Sequence, residues 1–241
     1  MRCPTDVPHA TDEVAMADMR FDDPLTGGGE LPPKVHHRID RPGKIVCIGR
    51  NYREHAKELG NEVPVEPLFF LKPSTSVVGS GEAIVLPPQS ERVEFEGEIG
   101  VVIGARLTKA TEAEAASAIR GVVAVNDVTA RDLQKKDSQW TRAKGFDTFC
   151  PIGPVATDYG DLSALTIVTR VNGEEKQRAS ASEMVFSIPM LLSYVSQVMT
   201  LEPGDVVATG TPAGVAPLND GDVVEVEIEG LSSVSNPVKA R

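Results

Sequence analysis

Cysteine and aromatic residues are scarce in this chain of 241 residues, which has three cysteines, one tryptophan, three tyrosines and seven phenylalanines. Cys3, Cys47 and Cys150 have neither the spacing of a zinc site nor that of a disulfide framework. Cys47 lies within an apolar run, and Cys150 is flanked by Phe149 and Pro151. We therefore predict that these two cysteines pack as small hydrophobic residues and have no catalytic role.

Positive charge is also in short supply, because 24 Lys and Arg residues stand against 35 Asp and Glu residues and the formal net charge is −11. No basic cluster interrupts this excess, so we expect no nucleic-acid partner. No apolar run reaches the length of a membrane span, and the first residues lack the hydrophobic core of a signal peptide. We expect a soluble cytoplasmic protein without a membrane partner, in which an anionic substrate would be held by a metal ion or by a few Lys and Arg side chains.

Composition changes once along the chain. Residues 1–43 are rich in proline, glycine and acidic residues and show no sustained periodicity, which predicts an N-terminal arm or tail. A second methionine, Met19, leaves the start of translation open. Residues 44–241 contain no repeat or interior linker and are long enough to bury a sizeable core. They predict a single strand-rich α+β domain with a few short helices.

The stretch Arg92–Gly104 has a pattern of functional interest. Apolar and polar residues alternate from Val93 to Ile99, which predicts a strand with Glu94, Glu96 and Glu98 on one face. Successive residues on one face of a strand are roughly 6.5–7 Å apart, so two of these side chains could share one hard divalent cation.

A second stretch, Asp222–Gly230, has the same alternation and nothing nearby that suggests chemistry, so a half-solvated strand remains an alternative for both. The two stretches differ at their carboxyl ends. After Glu98 the sequence continues with apolar residues and glycines as far as Gly104, which predicts that this strand enters a buried region. Buried carboxylates need partners, and a metal ion is one such partner.

A short helix is predicted over residues 50–60, with Asn51 as its N-cap and Gly60 as its stop signal. His55 and Glu58 are three residues apart and would lie on one face of this helix. A carboxylate beside an imidazole fixes the orientation of the ring, as in many general bases. Spacing alone does not distinguish this arrangement from an ordinary pair on a helix surface.

Other segments carry local structural signals. The sequence predicts buried strands at Pro67–Pro73 and Gly121–Asp127, a capping box at Thr111–Glu114, a helical turn at Thr129–Gln134, a hairpin at Asn172-Gly173, an apolar helix at Ile188–Met199 and a strand with a small-residue turn at Asp205–Gly214. Lys72 ends the first of these strands and could contact an anion or simply face solvent.

Six short motifs, in order, resemble the fumarylacetoacetate hydrolase family, especially its short members that act on acylpyruvates or oxaloacetate. The motifs are Asn51-Tyr52-Arg53-Glu54-His55, Phe70-Leu71-Lys72-Pro73, Glu96-Gly97-Glu98-Ile99, Asn126-Asp127-Val128-Thr129-Ala130-Arg131-Asp132, Lys144-Gly145-Phe146-Asp147 and Gly210-Thr211-Pro212. The resemblance covers residues 44–241 and implies a catalytic domain with a rolled, mixed β-sandwich fold that forms a homodimer.

The resemblance also implies the roles of individual residues. Mg²⁺ or Mn²⁺ would be held by Glu96, Glu98 and Asp127, which leaves Glu94 out of the ligand set. His55 and Glu58 would form a catalytic dyad on a helix that acts as a lid, and Lys144 would line the site as a catalytic group. The residues implied to contact the substrate or its bound metal are Arg50, Lys72, Arg131, Gln134 and Thr211.

Three functions are compatible with these residues. The first is metal-dependent hydrolysis of a carbon–carbon bond in an acylpyruvate or fumarylpyruvate, or decarboxylation of oxaloacetate, because both reactions pass through an enolate of pyruvate. The second is isomerisation of a hydroxymuconate or 2-hydroxyhepta-2,4-diene-1,7-dioate type of diacid. The third is a β-protein that binds metal without catalysis. The substrate in the first two functions is a small 2-oxo acid or its enol.

Overall fold

The computed structural model describes residues 41–60 and 62–241. Of the predicted N-terminal arm, residues 1–43, only residues 41–43 fall within this range, so that prediction lies outside the described residues. No helix in the described part of the chain is long and apolar enough to cross a membrane.

The described chain is rich in short strands. The strands are β1 (Ile45–Gly49), β2 (Leu68–Lys72), β3 (Val77–Val78), β4 (Ile84–Leu86), β5 (Val93–Glu94), β6 (Gly97–Ile103), β7 (Ile119–Asn126), β8 (Thr129–Ala130), β9 (Cys150–Pro151), β10 (Thr166–Val171), β11 (Glu174–Ser180), β12 (Val206–Ala208), β13 (Val223–Ile228) and β14 (Ser232–Ala240). The α-helices are α1 (Arg53–Glu58), α2 (Glu112–Ser117), α3 (Arg131–Lys136), α4 (Thr141–Lys144) and α5 (Ile188–Val198). One-turn 3₁₀ helices occur at Ser74–Ser76, Leu162–Ala164 and Ala181–Glu183. The predicted strand-rich α+β class is confirmed.

Two five-stranded sheets form the body of the domain. The first has the order β2-β1-β12-β6-β7 and is antiparallel except for the β1–β12 pair; the second has the order β11-β10-β13-β14-β4 and is antiparallel except for β14–β4. A cluster of buried apolar residues joins the sheets and includes Ile99 and Val101 from β6 together with Ile167 and Val226 from the second sheet. A second cluster, with Val102, covers the opposite face of β6. Strand β6 is therefore buried on both faces.

Several local predictions are confirmed. Thr111 and Glu114 form a reciprocal capping box at the start of α2. Asn172 and Gly173 connect β10 to β11 with φ angles of 52° and 80°, the left-handed values that a two-residue hairpin turn requires. Helix α5 begins at Ile188, with a proline in its first turn.

Two strand predictions need correction. The stretch Arg92–Gly104 is not one strand, because the chain breaks at Phe95 and Glu96 between β5 and β6. Strand β2 is not buried as predicted but lies at the edge of its sheet, where Leu71 is 46% exposed. Its last residue, Lys72, is the buried exception, because its side chain turns inwards to Asp127.

The predicted cap of the first helix is also wrong. Helix α1 begins at Arg53, the extended residue Tyr52 occupies the cap position, and Asn51 lies one residue earlier. The Asn51 amide donates to the carbonyl oxygens of Thr209 at 2.8 Å and Phe186 at 3.1 Å, and its oxygen accepts from the Phe186 N–H at 2.8 Å. Asn51 therefore holds the start of α1 to two distant loops. Gly60 follows the helix with a φ of 69°, as expected for a stop signal.

Candidate active site

A cavity of about 230 Å³ opens beside the carboxyl end of β1 and the first residues of β6. Its walls come from β1, α1, β2, β6, the segment after β7, helices α3 and α4, and the turn after β12. The lining residues are Ile48, Gly49, Arg50, His55, Leu59, Phe70, Glu96, Glu98, Asp127, Arg131, Gln134, Lys135, Trp140, Lys144 and Thr211.

Three buried carboxylates converge in this cavity. Glu96 and Glu98 flank Gly97 at the start of β6, and Asp127 follows the last residue of β7. The antiparallel register pairs Gly97 with Asn126, so the beginning of one strand lies beside the end of the other. One oxygen from each carboxylate lies within 4.8 Å of the other two, and each of the three residues is at most 5% exposed.

Two lysines neutralise part of this negative charge. The Lys144 ammonium donates to Glu96 and to Asp127, each at 2.7 Å, and the Lys72 ammonium donates to the other Asp127 oxygen at 2.6 Å. Burial alone would lower the pKa of Lys144, but the charges of Asp127 and Glu96 outweigh it and raise this pKa above its ordinary value. Lys144 is therefore a permanent cation.

Arg131 connects the triad to Glu94. Its Nε donates to Glu94 at 2.6 Å, one terminal nitrogen donates to Glu96, and the other donates to the Gln134 side-chain oxygen. Burial opposes the charged form of Glu96, yet Lys144 and Arg131 hold its pKa well below the usual range. Glu94 serves as the partner of Arg131 and also accepts a hydrogen bond from Arg92. Arg131 was predicted to contact the substrate, and in the structure it also orients Glu96.

Glu98 is the carboxylate that the local cations leave uncompensated. Within the described part of the chain it forms no ion pair, and its one hydrogen bond comes from the Gly210 N–H at 2.8 Å. Burial raises its pKa well above the ordinary value, and the neighbouring charges of Asp127 and Glu96 add to the effect. Three converging carboxylates, one of them without a cation, fit a hard divalent metal that accepts oxygen ligands. The site can hold a divalent cation through Glu96, Glu98 and Asp127.

The pair formed by His55 and Glu58 joins a buried imidazole to a carboxylate side chain that is 31% exposed. His55 is 4% exposed and lines the cavity, and its Nδ1 lies 3.1 Å from a Glu58 oxygen. The other Glu58 oxygen accepts from the Gly214 N–H at 3.0 Å. Glu58 does not line the cavity. It contacts the imidazole and is itself held by the turn after β12.

The remaining predicted contacts divide into two groups. Arg50, Gln134 and Thr211 line the cavity with Arg131, whereas Lys72 does not and reaches the site only through Asp127. The Thr211 hydroxyl is already engaged, because it donates to the Gly97 carbonyl at 2.9 Å.

Gln177 in β11 is a buried residue at the site that the sequence did not indicate. Its side-chain oxygen accepts from the Gly97 N–H at 3.0 Å, and its amide donates to the Thr211 hydroxyl at 2.8 Å. Thr169 of β10 packs beside it, and a Cβ at Gly97 would lie 1.9 Å from the Thr169 hydroxyl. The second sheet thus holds Gly97, the residue between Glu96 and Glu98. Gln177 lies in an ordinary hairpin strand, so no local pattern could have identified it.

Residues 44–239 match the family model described as fumarylacetoacetate (FAA) hydrolase, C-terminal. An uncharacterized protein of Archaeoglobus fulgidus is 52% identical over 216 residues, which cover 90% of this chain and 84% of that protein. Oxaloacetate tautomerase YisK of Bacillus subtilis is 41% identical over 219 residues, which cover 85% and 73%. The crystal structure of 2-hydroxyhepta-2,4-diene-1,7-dioate isomerase from Mycobacterium marinum superposes with a TM-score of 0.77 at 45% identity and covers 83% of this chain and 76% of that chain. This chain belongs to the fumarylacetoacetate hydrolase family.

Proposed function

We propose that this chain is an enzyme that transfers a proton at the carbon next to the keto group of small 2-oxo acids. The representative reaction is the interconversion of the keto and enol forms of oxaloacetate. One observation carries the proposal: a buried imidazole with its own carboxylate partner lines the same cavity as three carboxylates that can hold a divalent metal. The relative named oxaloacetate tautomerase supports the choice of substrate. The small volume of the cavity supports a substrate below drug size.

Glu96, Glu98 and Asp127 would hold Mg²⁺ or Mn²⁺. Such an ion, when bound, supplies a Lewis acid that polarises the keto oxygen of the substrate and lowers the energy of the negative charge that develops there. Arg131 and Lys144 keep Glu96 ionised and fixed in place, and Lys72 holds the Asp127 carboxylate in position through a hydrogen bond. These three residues therefore preorganise the ligand set.

His55 is the proposed base. In the tautomer whose Nδ1–H donates a hydrogen bond to Glu58, the Nε2 lone pair is available to take a proton from the substrate carbon. The Gly214 N–H fixes Glu58, which limits rotation of the pair. Transfer of this proton to the enolate oxygen gives the enol, and the reverse transfer, from oxygen to carbon, gives the keto form; neither direction consumes water.

Lys144 is not the base in this mechanism. Its raised pKa keeps the ammonium protonated at neutral pH, and two of its protons are held by carboxylates. It contributes positive charge next to the place where negative charge develops on the substrate.

A second candidate is hydrolysis of a carbon–carbon bond in an acylpyruvate, with decarboxylation of oxaloacetate as a related reaction. The same dyad supports it, because His55 oriented by Glu58 could activate a water molecule instead of removing a carbon-bound proton. The similarity to a 2-hydroxyhepta-2,4-diene-1,7-dioate isomerase supports proton transfer on a larger diacid. A metal-binding protein without catalysis is the weakest candidate, since the chain belongs to an enzyme family.

The experiment compares four reactions on one Mn²⁺-loaded preparation. Decay of the oxaloacetate enol is followed by its ultraviolet absorbance, and pyruvate release from oxaloacetate, pyruvate release from acetylpyruvate and isomerisation of the diene diacid are measured in parallel. We expect enol decay to be the fastest by kcat/KM, to disappear with EDTA and to return with Mn²⁺. Pyruvate release from acetylpyruvate that exceeds enol decay would overturn the proposal in favour of hydrolysis.

A further inference from the structure

The buried cations at the site are already paired with protein carboxylates. Lys72 and Lys144 are within 2.7 Å of the carboxylates that they contact, and Arg131 is bound to Glu94 and Glu96. A dicarboxylic substrate would place one carboxylate and the keto oxygen at the divalent cation that the acidic triad would hold. Its second carboxylate would still need a positive charge that is not already neutralised.

Two other cations line the same cavity. Arg50 lies in the connection between β1 and α1, and Lys135 lies on α3. Neither forms an ion pair with any residue in the described parts of the chain, which separates them from Lys72, Lys144 and Arg131. Both are more accessible to solvent than the triad. Because Arg50 and Lys135 come from different elements, they place positive charge on two walls of the cavity.

The backbone at Arg50 is also unusual. Its φ is 59°, in the left-handed region that costs a residue with a side chain free energy and that is enriched at functional sites. The fold thus keeps an arginine in a costly conformation at the wall of the cavity.

On the basis of the proposed function, we propose that Arg50 and Lys135 form the subsite for the second carboxylate of the substrate. The site would then select dicarboxylic 2-oxo acids over monocarboxylic ones. Lys135 is the new member, since nothing in the motifs marks it. Arg50 takes a defined role, the recognition of the carboxylate remote from the reacting carbon. The nearby exposed cations Arg53 and Lys136 do not line the cavity and have no part in the subsite.

The test uses two stable 2-hydroxy acids, malate and 2-hydroxybutyrate, which differ by a carboxylate in place of a methyl group. Calorimetry on the Mn²⁺-loaded protein gives the affinity for each. We expect the wild type to prefer malate by roughly 10- to 100-fold, the range that hydrogen bonds to a charged group supply. The Arg50→Met/Lys135→Met variant should lose most of this preference and keep its affinity for 2-hydroxybutyrate. Arg53→Met and Lys136→Met are the matched controls and should retain the preference.

Because Arg50 has a strained backbone, a second variant avoids that position. Lys135→Glu changes an exposed helical residue and should make malate bind more weakly than it does to Lys135→Met. Equal malate preference in the wild type, the double variant and Lys135→Glu would overturn the subsite, as would a wild type without any preference. These results are separate from the proposed reaction. If the variants lose the preference for malate but the wild type does not catalyse enol decay, the subsite is retained and the proposed function is rejected. If the wild type catalyses enol decay but the variants keep the preference for malate, only the subsite is rejected.

Discussion

At the scale of single residues, Glu98 and Glu227 can be compared, because both lie in stretches with the same alternation of apolar and polar residues. Glu98 is 1% exposed and has no cation partner among the described residues, whereas Glu227 of β13 pairs with Arg170 at 2.8 Å on a partly exposed surface. Glu98→Gln preserves the volume of the side chain but removes a ligand charge. We expect its Mn²⁺ affinity to fall by more than about 100-fold, since changes in outer-shell partners alone cost 10- to 100-fold. Calorimetric titration with Mn²⁺ measures this change.

Glu227→Gln is the control for that titration and should leave Mn²⁺ affinity unchanged. Equal losses in the two variants would mean that the carboxylates of β6 do not hold the metal.

His55 allows the base to be separated from the metal ligands. His55→Gln should bind Mn²⁺ as the wild type does, because the imidazole forms no hydrogen bond with the triad carboxylates among the described residues. The rate of enol decay at saturating Mn²⁺ should fall by roughly 10²- to 10⁴-fold, the usual contribution of a general base. Stopped-flow absorbance and an Mn²⁺ titration on the same preparation provide both values. A nearly intact rate would place the base elsewhere, and Lys144 is a poor replacement because its pKa is raised.

The cysteines give a prediction that does not depend on the reaction. Cys47 and Cys150 are fully buried, and burial raises the pKa of the Cys47 thiol well above normal and that of Cys150 to about 12. Since the thiolate is the reactive form, iodoacetamide at pH 8 should modify both at least about 100-fold more slowly in native protein than in guanidinium. Mass spectrometry of the two peptides measures the rates. Rapid modification in native buffer would contradict the burial of the central strands.

At the scale of elements, β11 supports a site to which it contributes no ligand. Gln177→Met keeps the length of the side chain but removes its hydrogen bonds to Gly97 and Thr211. We expect Mn²⁺ affinity to fall by about 10-fold, within the range for outer-shell partners. Electron paramagnetic resonance of free Mn²⁺ provides the readout, and circular dichroism confirms that the variant is folded.

Thr169→Val is a control from the neighbouring strand. The Thr169 hydroxyl is buried and has no hydrogen-bond partner among the described residues, so the substitution removes no bond seen there and should leave Mn²⁺ affinity unchanged. Wild-type affinity in folded Gln177→Met would limit β11 to a packing role.

At the scale of the whole molecule, metal binding should stabilise the fold. A ligand at 100 times its dissociation constant adds about 2.7 kcal/mol to the free energy of unfolding, which corresponds to a Tm increase of roughly 5–10 °C for a domain of this size. Differential scanning calorimetry with and without Mn²⁺ measures the shift. The shift should be much smaller in Glu98→Gln, and an equal shift in that variant would indicate binding outside the triad.

The sequence determined the features that depend on neighbouring residues. Alternation predicted many of the strands, Thr111 and Glu114 predicted a capping box, and Asn172-Gly173 predicted a tight hairpin; each is present. These signals work because a helix cap and a two-residue turn are closed by backbone geometry within a few residues. The six motifs also indicate the family and the three carboxylates of the acidic triad without any information on tertiary structure.

Tertiary structure decided which of two similar strands becomes a site. Strand β13 leaves Glu225 and Glu227 partly exposed, whereas β6 is covered on both faces and its register with β7 brings Asp127 beside Glu96. The break before β6 and the support from Gln177 come from that same packing. No local pattern encodes these features, because burial and register depend on contacts between residues far apart in the chain. The sequence therefore determined which carboxylates were available, and the packing of the two sheets decided that those of β6, and not those of β13, converge in a buried cavity.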